Sequence, residues 1–189
     1  MMRRPLAAAL LFFAMAAPAM AQATLDGTMK NLAAMRQGIA GFSEEKSIPE
    51  LSSPLPSTGT LSWTAPDRLE KHTTWPAEET LRVEGDRLLL ERPAQGIRQE
   101  LSLDQSPEIR PFVEAIRATL SGDLATLRQY YEVAFSPEGE GWHMVLTPLS
   151  VRIRAALQRV DVYGRGGSLR QVETRGNDGT TILRITPRP

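Results

Sequence analysis

Two histidines, His72 and His143, are the residues of this chain best suited to acid–base chemistry near neutral pH. Both fall in stretches with strand character, and neither stands in an H-x-x-x-H arrangement that would bring two imidazoles to one metal. No G-x-S-x-G motif at a strand-to-helix turn supplies an exposed serine nucleophile. Asp123 and Glu138 could serve as acids, but no partner stands at a matching spacing. Gly164-Arg165-Gly166-Gly167 resembles a phosphate loop only in its glycines. A strand precedes it, yet no helix follows whose N-terminus could meet an anion, so it reads as a hairpin turn. Cysteine is absent, which removes thiol nucleophiles, thiolate metal sites, disulfides and lipid attachment together. These residues assemble no reaction. The expectation is a protein that is not an enzyme and uses no cofactor and no metal.

What remains is apolar. Leu61, Trp63, Leu69, Trp75, Leu81, Val83, Leu88, Leu90, Leu101 and Leu103 recur along successive strand-like segments. As a set they form either an ordinary core or the wall of a ligand cavity. The second reading requires an apolar face larger than the helices of the chain can cover.

The elements that would position them follow from periodicity. Leu25, Met29, Leu32, Met35, Ile39 and Phe42 recur at three- and four-residue steps, predicting a helix from about Thr24 to Gly38. A short strand, Phe42 to Ile48, follows. Three prolines between Pro49 and Thr58 predict an exposed crossing loop. Strands are expected over Gly59–Ala65, Leu69–Trp75 (where the alternation is less clean), Thr80–Glu84, Arg87–Glu91 and Ile97–Leu103. Gly85 fits the turn between the third and fourth of these. The period then changes. Pro107 suits a first helical turn, Phe112, Ile116 and Leu120 share a face, Gly122 stops the run, and Asp123 caps a second short helix. Further strands are expected at Tyr130–Phe135, Trp142–Thr147, Ala156–Tyr163, Leu169–Arg175 and Thr181–Thr186. The fold class is therefore α+β: a large antiparallel sheet, an N-terminal helix and a helical insertion in the middle.

The N-terminus has the marks of an export signal. Arg3 and Arg4 precede an apolar run from Leu6 to about Ala17, and Ala19-Met20-Ala21 is an A-x-A cleavage pattern. The run is too short to cross about 30 Å of hydrocarbon, and Pro18 interrupts it. Residues 1–21 are thus expected to be a signal peptide cleaved after Ala21, with 22–189 forming one domain. Cleavage removes two of 22 basic residues against 22 acidic ones, leaving a slightly negative chain with no footprint for nucleic acid.

The order of several short motifs resembles a known family. Phe42-Ser43-Glu44-Glu45-Lys46 comes first. The run Gly59-Thr60-Leu61-Ser62-Trp63-Thr64-Ala65-Pro66-Asp67-Arg68-Leu69 has the form G-x-L-x-W-x-x-P-x-x-L. Trp75-Pro76, Glu84-Gly85-Asp86, Leu120-Ser121-Gly122-Asp123 and Trp142 to Pro148 complete the series. This succession resembles the LolA-like periplasmic lipoprotein carriers over nearly all of residues 22–189. The resemblance implies an incomplete, half-open antiparallel β-barrel whose helices form a lid over an apolar cavity. It implies a periplasmic carrier that shields the acyl chains of lipoproteins, or another lipid, on the way to the outer membrane. The cavity wall would comprise Leu61, Trp63, Ala65, Leu69, Trp75, Leu81, Val83, Leu88, Leu90 and Leu101. Partners would be the acylated cargo, an inner-membrane donor and an outer-membrane acceptor, with the carrier a monomer that does not insert stably in a membrane. The alternative within the same fold is a regulatory module that binds lipid or protein without shuttling it. Two departures bear on the cargo. The carriers place an arginine that bonds the lid just before the strand-ending proline, where Ala65 stands here, and their C-terminal extension is not seen after Pro189. Relatives of this form are associated with export of other lipids or aryl-polyene-type pigments.

Overall fold

A computed structural model describes residues 23–187. The expected signal peptide and its cleavage site lie outside the described residues. Helix α1 (Leu25–Ala34) leads into β1 (Gln37–Ser47), β2 (Leu55–Thr64), β3 (Arg68–Trp75), β4 (Glu79–Glu84), β5 (Arg87–Arg92) and β6 (Ile97–Ser102). Two helices follow, α2 (Arg110–Ser121) and α3 (Leu124–Tyr130), then β7 (Tyr131–Glu138) and β8 (Gly141–Pro148). A one-turn helix α4 (Val151–Arg154) precedes β9 (Leu157–Arg165), β10 (Ser168–Gly176) and β11 (Gly179–Pro187).

All eleven strands join one antiparallel sheet in the order β6-β5-β4-β3-β2-β1-β11-β10-β9-β8-β7. The sheet does not close, because β6 and β7, consecutive strands in the chain, lie at its opposite edges. The link between them holds α2 and α3. Register fixes one inner face across every strand. Phe42 faces Gly59 and Ile185, Trp63 faces Leu69, Leu69 faces Val83, and Val83 faces Leu88. In the other half Val172 faces Leu183 and Val162, and Val162 faces Met144. The larger buried core sits there, where Trp142, Met144, Leu146, Val160 and Val162 pack with Met29 and Leu32 of α1 and Ala115 and Ala118 of α2.

Three boundaries differ from those expected. The first helix stops at Ala34, where the N–H of Met35 caps it by donating to Leu32 O. Gly38 and Ala40 instead alternate inward on β1, which is flanked by β2 and β11. Pairing on both sides outweighs the helical spacing of Met35, Ile39 and Phe42. Residues 55–58 belong to β2 rather than to a loop. At Pro56 the strand has β1 on one side, while β3 pairs only from Thr58 onward, leaving the open edge that a proline tolerates. The middle helix begins at Arg110, so Pro111, not Pro107, occupies its first turn. Gly122 ends that helix at φ +68°, and a Cβ there would lie 2.3 Å from Met29 O, so the close approach of α1 and α2 requires glycine.

Candidate functional site: an apolar cavity under α2

The inner face of β1–β5, β10 and β11 is not filled by side chains. Between it and α2 lies a cavity of about 580 Å³, within the range of small-molecule and lipid sites. Strand alternation supplies one wall: Leu61 and Trp63 from β2, Leu69 from β3, Leu81 and Val83 from β4, and Leu88 from β5. Val172, Leu183 and Ile185 supply the opposite wall. Ile109, just before α2, and Phe112, Val113, Ile116 and Leu120 of that helix close the cavity from above. Their three- and four-residue spacing is what turns them all to one side. The helices thus form the lid over an apolar cavity.

Six of the ten wall residues expected from the sequence line this space: Leu61, Trp63, Leu69, Leu81, Val83 and Leu88. Four do not. Ala65 follows the end of β2, where its N–H donates to Arg36 O at 2.8 Å. Trp75 ends β3 beyond the cavity and is 51% exposed. Leu101 shares the inner face but stands on edge strand β6, 41% exposed, and Leu90 is half-buried one step past Leu88. Alternation assigns the right face to the last two; it cannot say where along a strand the cavity stops. Trp63 is both wall and core. It is only 6% exposed, and its indole N–H donates to Met35 O at 3.1 Å, tying β2 to the end of α1.

The lid is fastened to the sheet by ion pairs. Arg110 donates to Asp86 Oδ1 at 2.8 Å and to Asp104. Arg117 donates to Gly85 O in the β4–β5 turn and to the buried Glu114. Hydrogen bonds from Ser102 and from the backbone of Asp104, together with Arg110, hold the Asp86 carboxyl below its ordinary pKa. The Tyr131 hydroxyl donates to Pro111 O at 2.6 Å, and burial pushes its pKa up. The arginines of this fastening come from α2 itself, while the position of the carriers' arginine holds Ala65. Asp123 caps α3, accepting from Thr126 N at 2.9 Å. Among the described residues no group of three or more histidines or carboxylates could hold a metal ion.

The sequence matches the family described as outer membrane lipoprotein carrier protein LolA-like over residues 16–185. The chain belongs to this LolA-like family. No curated protein matches it. Among solved structures, the LolA-like chain is similar to a LolA superfamily protein from Nitrosomonas europaea, at 10% identity and a TM-score of 0.42, over 88% of this chain and 94% of that one. It is also similar to a putative outer membrane lipoprotein-sorting protein domain from Vibrio parahaemolyticus, at 11% identity and a TM-score of 0.40, over 86% and 91%. A third is the structure of the CwlD amidase from Clostridioides difficile in complex with the GerS lipoprotein, at 13% identity and a TM-score of 0.39, over 85% of each chain. These likenesses concern fold alone.

Several site residues of the LolA-like chain escaped the sequence reading. Leu183 and Ile185 alternate cleanly within 181–186 and could have been placed on the inner face. Glu44 and Lys71 also line the cavity. Lys71 is what blurs the alternation of β3, because it occupies an inward position between Leu69 and Thr73.

Proposed function

We propose that this LolA-like protein is a periplasmic carrier that takes the acyl part of a lipoprotein or another lipid into the cavity under α2 and delivers it toward the outer membrane. The observation that carries the reading is the cavity: about 580 Å³, walled by leucine, valine, isoleucine and aromatic side chains and left unfilled by the protein's own core. Removing about a dozen methylenes from water yields on the order of 10 kcal/mol, enough to hold an acyl chain without a covalent bond. The chain performs no reaction of its own in this scheme. Release comes from transfer to an acceptor of higher affinity, and the export signal at residues 1–21 delivers the carrier to the compartment that needs it. No helix among the described residues is long and apolar enough to cross a membrane.

The test uses the mature protein and a neutral apolar dye, 1-N-phenylnaphthylamine. Dye fluorescence should rise on mixing and fall again when a tripalmitoylated lipopeptide competes. Ala40, on the inner face opposite Leu61, points a small side chain at the cavity. Ala40→Trp should therefore weaken lipopeptide binding by about tenfold or more, the equivalent of two lost methylene contacts, while the melting temperature holds. No dye uptake, or unchanged binding in Ala40→Trp, would sink the proposal.

A further inference from the structure

We propose that the corner of the molecule at α4, where Leu149 and Val151 stand with Arg128, Arg152 and Arg154, is a contact surface for an anionic phospholipid bilayer. The segment Leu149-Ser150-Val151-Arg152-Ile153-Arg154 turns the chain from β8 toward β9. It is held from two sides. Ile153 is buried in the larger core, and its N–H donates to the Ser150 hydroxyl at 3.4 Å. The N–H of Leu149 donates to Tyr130 O at 2.9 Å, which seats the turn against the end of α3. The other two apolar side chains stay outside. Leu149 is 50% exposed and Val151 74%, the highest value for a large apolar residue among the described residues. Neither belongs to the packed core.

Charge decides what they face. Arg128, on the last turn of α3, and Arg152 and Arg154 of α4 are all exposed. The ion pairs at this end of the sheet belong to other residues, Lys46 with Asp178, Arg159 with Asp161 and Arg175 with Glu173. Arg154 gives one N–H to Pro148 O at 3.0 Å and keeps its charge unpaired among the described residues. Three cations thus stand against the single exposed acid Glu132 at the start of β7. Antiparallel register brings Leu51, Leu55 and Trp75, also exposed, to the same end of the sheet. Glu50 and Glu78 flank those three in sequence, so an anionic surface favours the α4 corner over them. Apolar tips set between arginines suit the bilayer interface: the tips enter the headgroup boundary while the guanidinium groups stay at the lipid phosphates. Two side chains of that size give reversible attachment rather than insertion.

Co-sedimentation of the mature protein with vesicles tests this, and it reads a property separate from dye uptake. Phosphatidylcholine vesicles with about one-third phosphatidylglycerol should bind the protein at least about tenfold more tightly than phosphatidylcholine alone. Salt at about 1 M should release it. Arg152→Gln/Arg154→Gln should weaken binding by about tenfold or more, as the loss of two surface cations implies. Leu149→Ser/Val151→Ser should weaken it by about fivefold or more. Arg36→Gln/Arg68→Gln removes the same charge from exposed positions at the opposite end of the sheet and should leave binding unchanged. All six side chains are exposed, so the melting temperature should hold in every variant. Absence of binding to the anionic vesicles overturns the inference, as does binding that survives either α4 variant. Equal weakening by Arg36→Gln/Arg68→Gln also overturns it, by showing an effect of net charge alone. Retention on immobilised polyglutamate without vesicle binding would assign the corner to an acidic protein surface instead and likewise overturn it.

Discussion

Asp161 on β9 has a side chain only 1% exposed, a place where a lone carboxylate would not stay ionised. It stays charged because Arg159 Nε donates to Oδ2 at 2.7 Å and His143 Nε2 lies 2.7 Å from Oδ1. Burial raises its pKa, but the hydrogen bonds from Arg159 and His143 outweigh that and hold it below the ordinary carboxylate value. A carboxyl whose folded pKa is depressed adds stability that is complete above its unfolded pKa, about 3.9. That stability is lost as pH falls through the folded value. Melting temperatures measured from about pH 5 down to pH 2 should therefore drop more steeply in wild type than in Asp161→Asn. Equal slopes would show that the group does not govern acid stability. His143 illustrates what single residues hide. As an isolated histidine it was a possible base; in the fold its ring stacks on Tyr163 with centroids 4.3 Å apart and braces Asp161 on the face away from the cavity. Its partner is 18 positions distant, and only the β8–β9 register joins them.

The same contrast governs the elements. Helix α2 was legible because Phe112, Ile116 and Leu120 repeat at helical spacing, and its stop was legible in Gly122. Its fastening was not, since Arg117 and Gly85 are 32 positions apart and meet only once β4 and β5 have formed their hairpin. Segments with two plausible periods are ambiguous in sequence for a local reason. Met35, Ile39 and Phe42 satisfy a helical stripe, yet Gly38, Ala40 and Phe42 satisfy an inward strand face equally well, and the presence of two pairing neighbours decides between them. The fastening makes a prediction about the lid. Arg117 is the nearest cation to Glu114, which is 4% exposed; the other, Arg110, stands 3.8 Å away. Arg117→Ala should cost about 3 kcal/mol by leaving a buried carboxylate poorly paired. Amide hydrogen exchange along α2 should accelerate more than exchange in β8 and β9. Arg117→Lys should restore charge but not the forked contact to Glu114 and Gly85, so it should recover stability only in part. Unchanged exchange in α2 would mean that apolar packing alone holds the lid.

At the scale of the molecule the sheet divides its labour along its own length. The half built from β7 to β9 packs its inner face against α1, α2 and α3 and leaves Met144, Leu146 and Val162 fully buried. The half built from β1 to β5 turns the same inner face toward the cavity, and the residues buried there, Phe42, Trp63, Val83 and Leu88, lie at or beside its wall. Sequence periodicity could not separate the halves, because strands facing a core and strands facing a void carry the same alternation. The difference arises from topology. The helical link crosses from edge strand β6 to edge strand β7, and too few helices are available to cover eleven strands. The two halves should therefore answer differently to the same truncation. Leu146→Ala opens a new void in a filled core and should cost about 2–5 kcal/mol in a denaturant titration. Leu61→Ala enlarges a cavity that already exists and removes a side chain that is only half-buried, so about 1 kcal/mol is expected. Dye affinity should show the reverse order, changing in Leu61→Ala and holding in Leu146→Ala wherever that variant remains folded. If Leu61→Ala proved as costly as Leu146→Ala, the β1–β5 face would be working as core, and the space above it would have to close in solution.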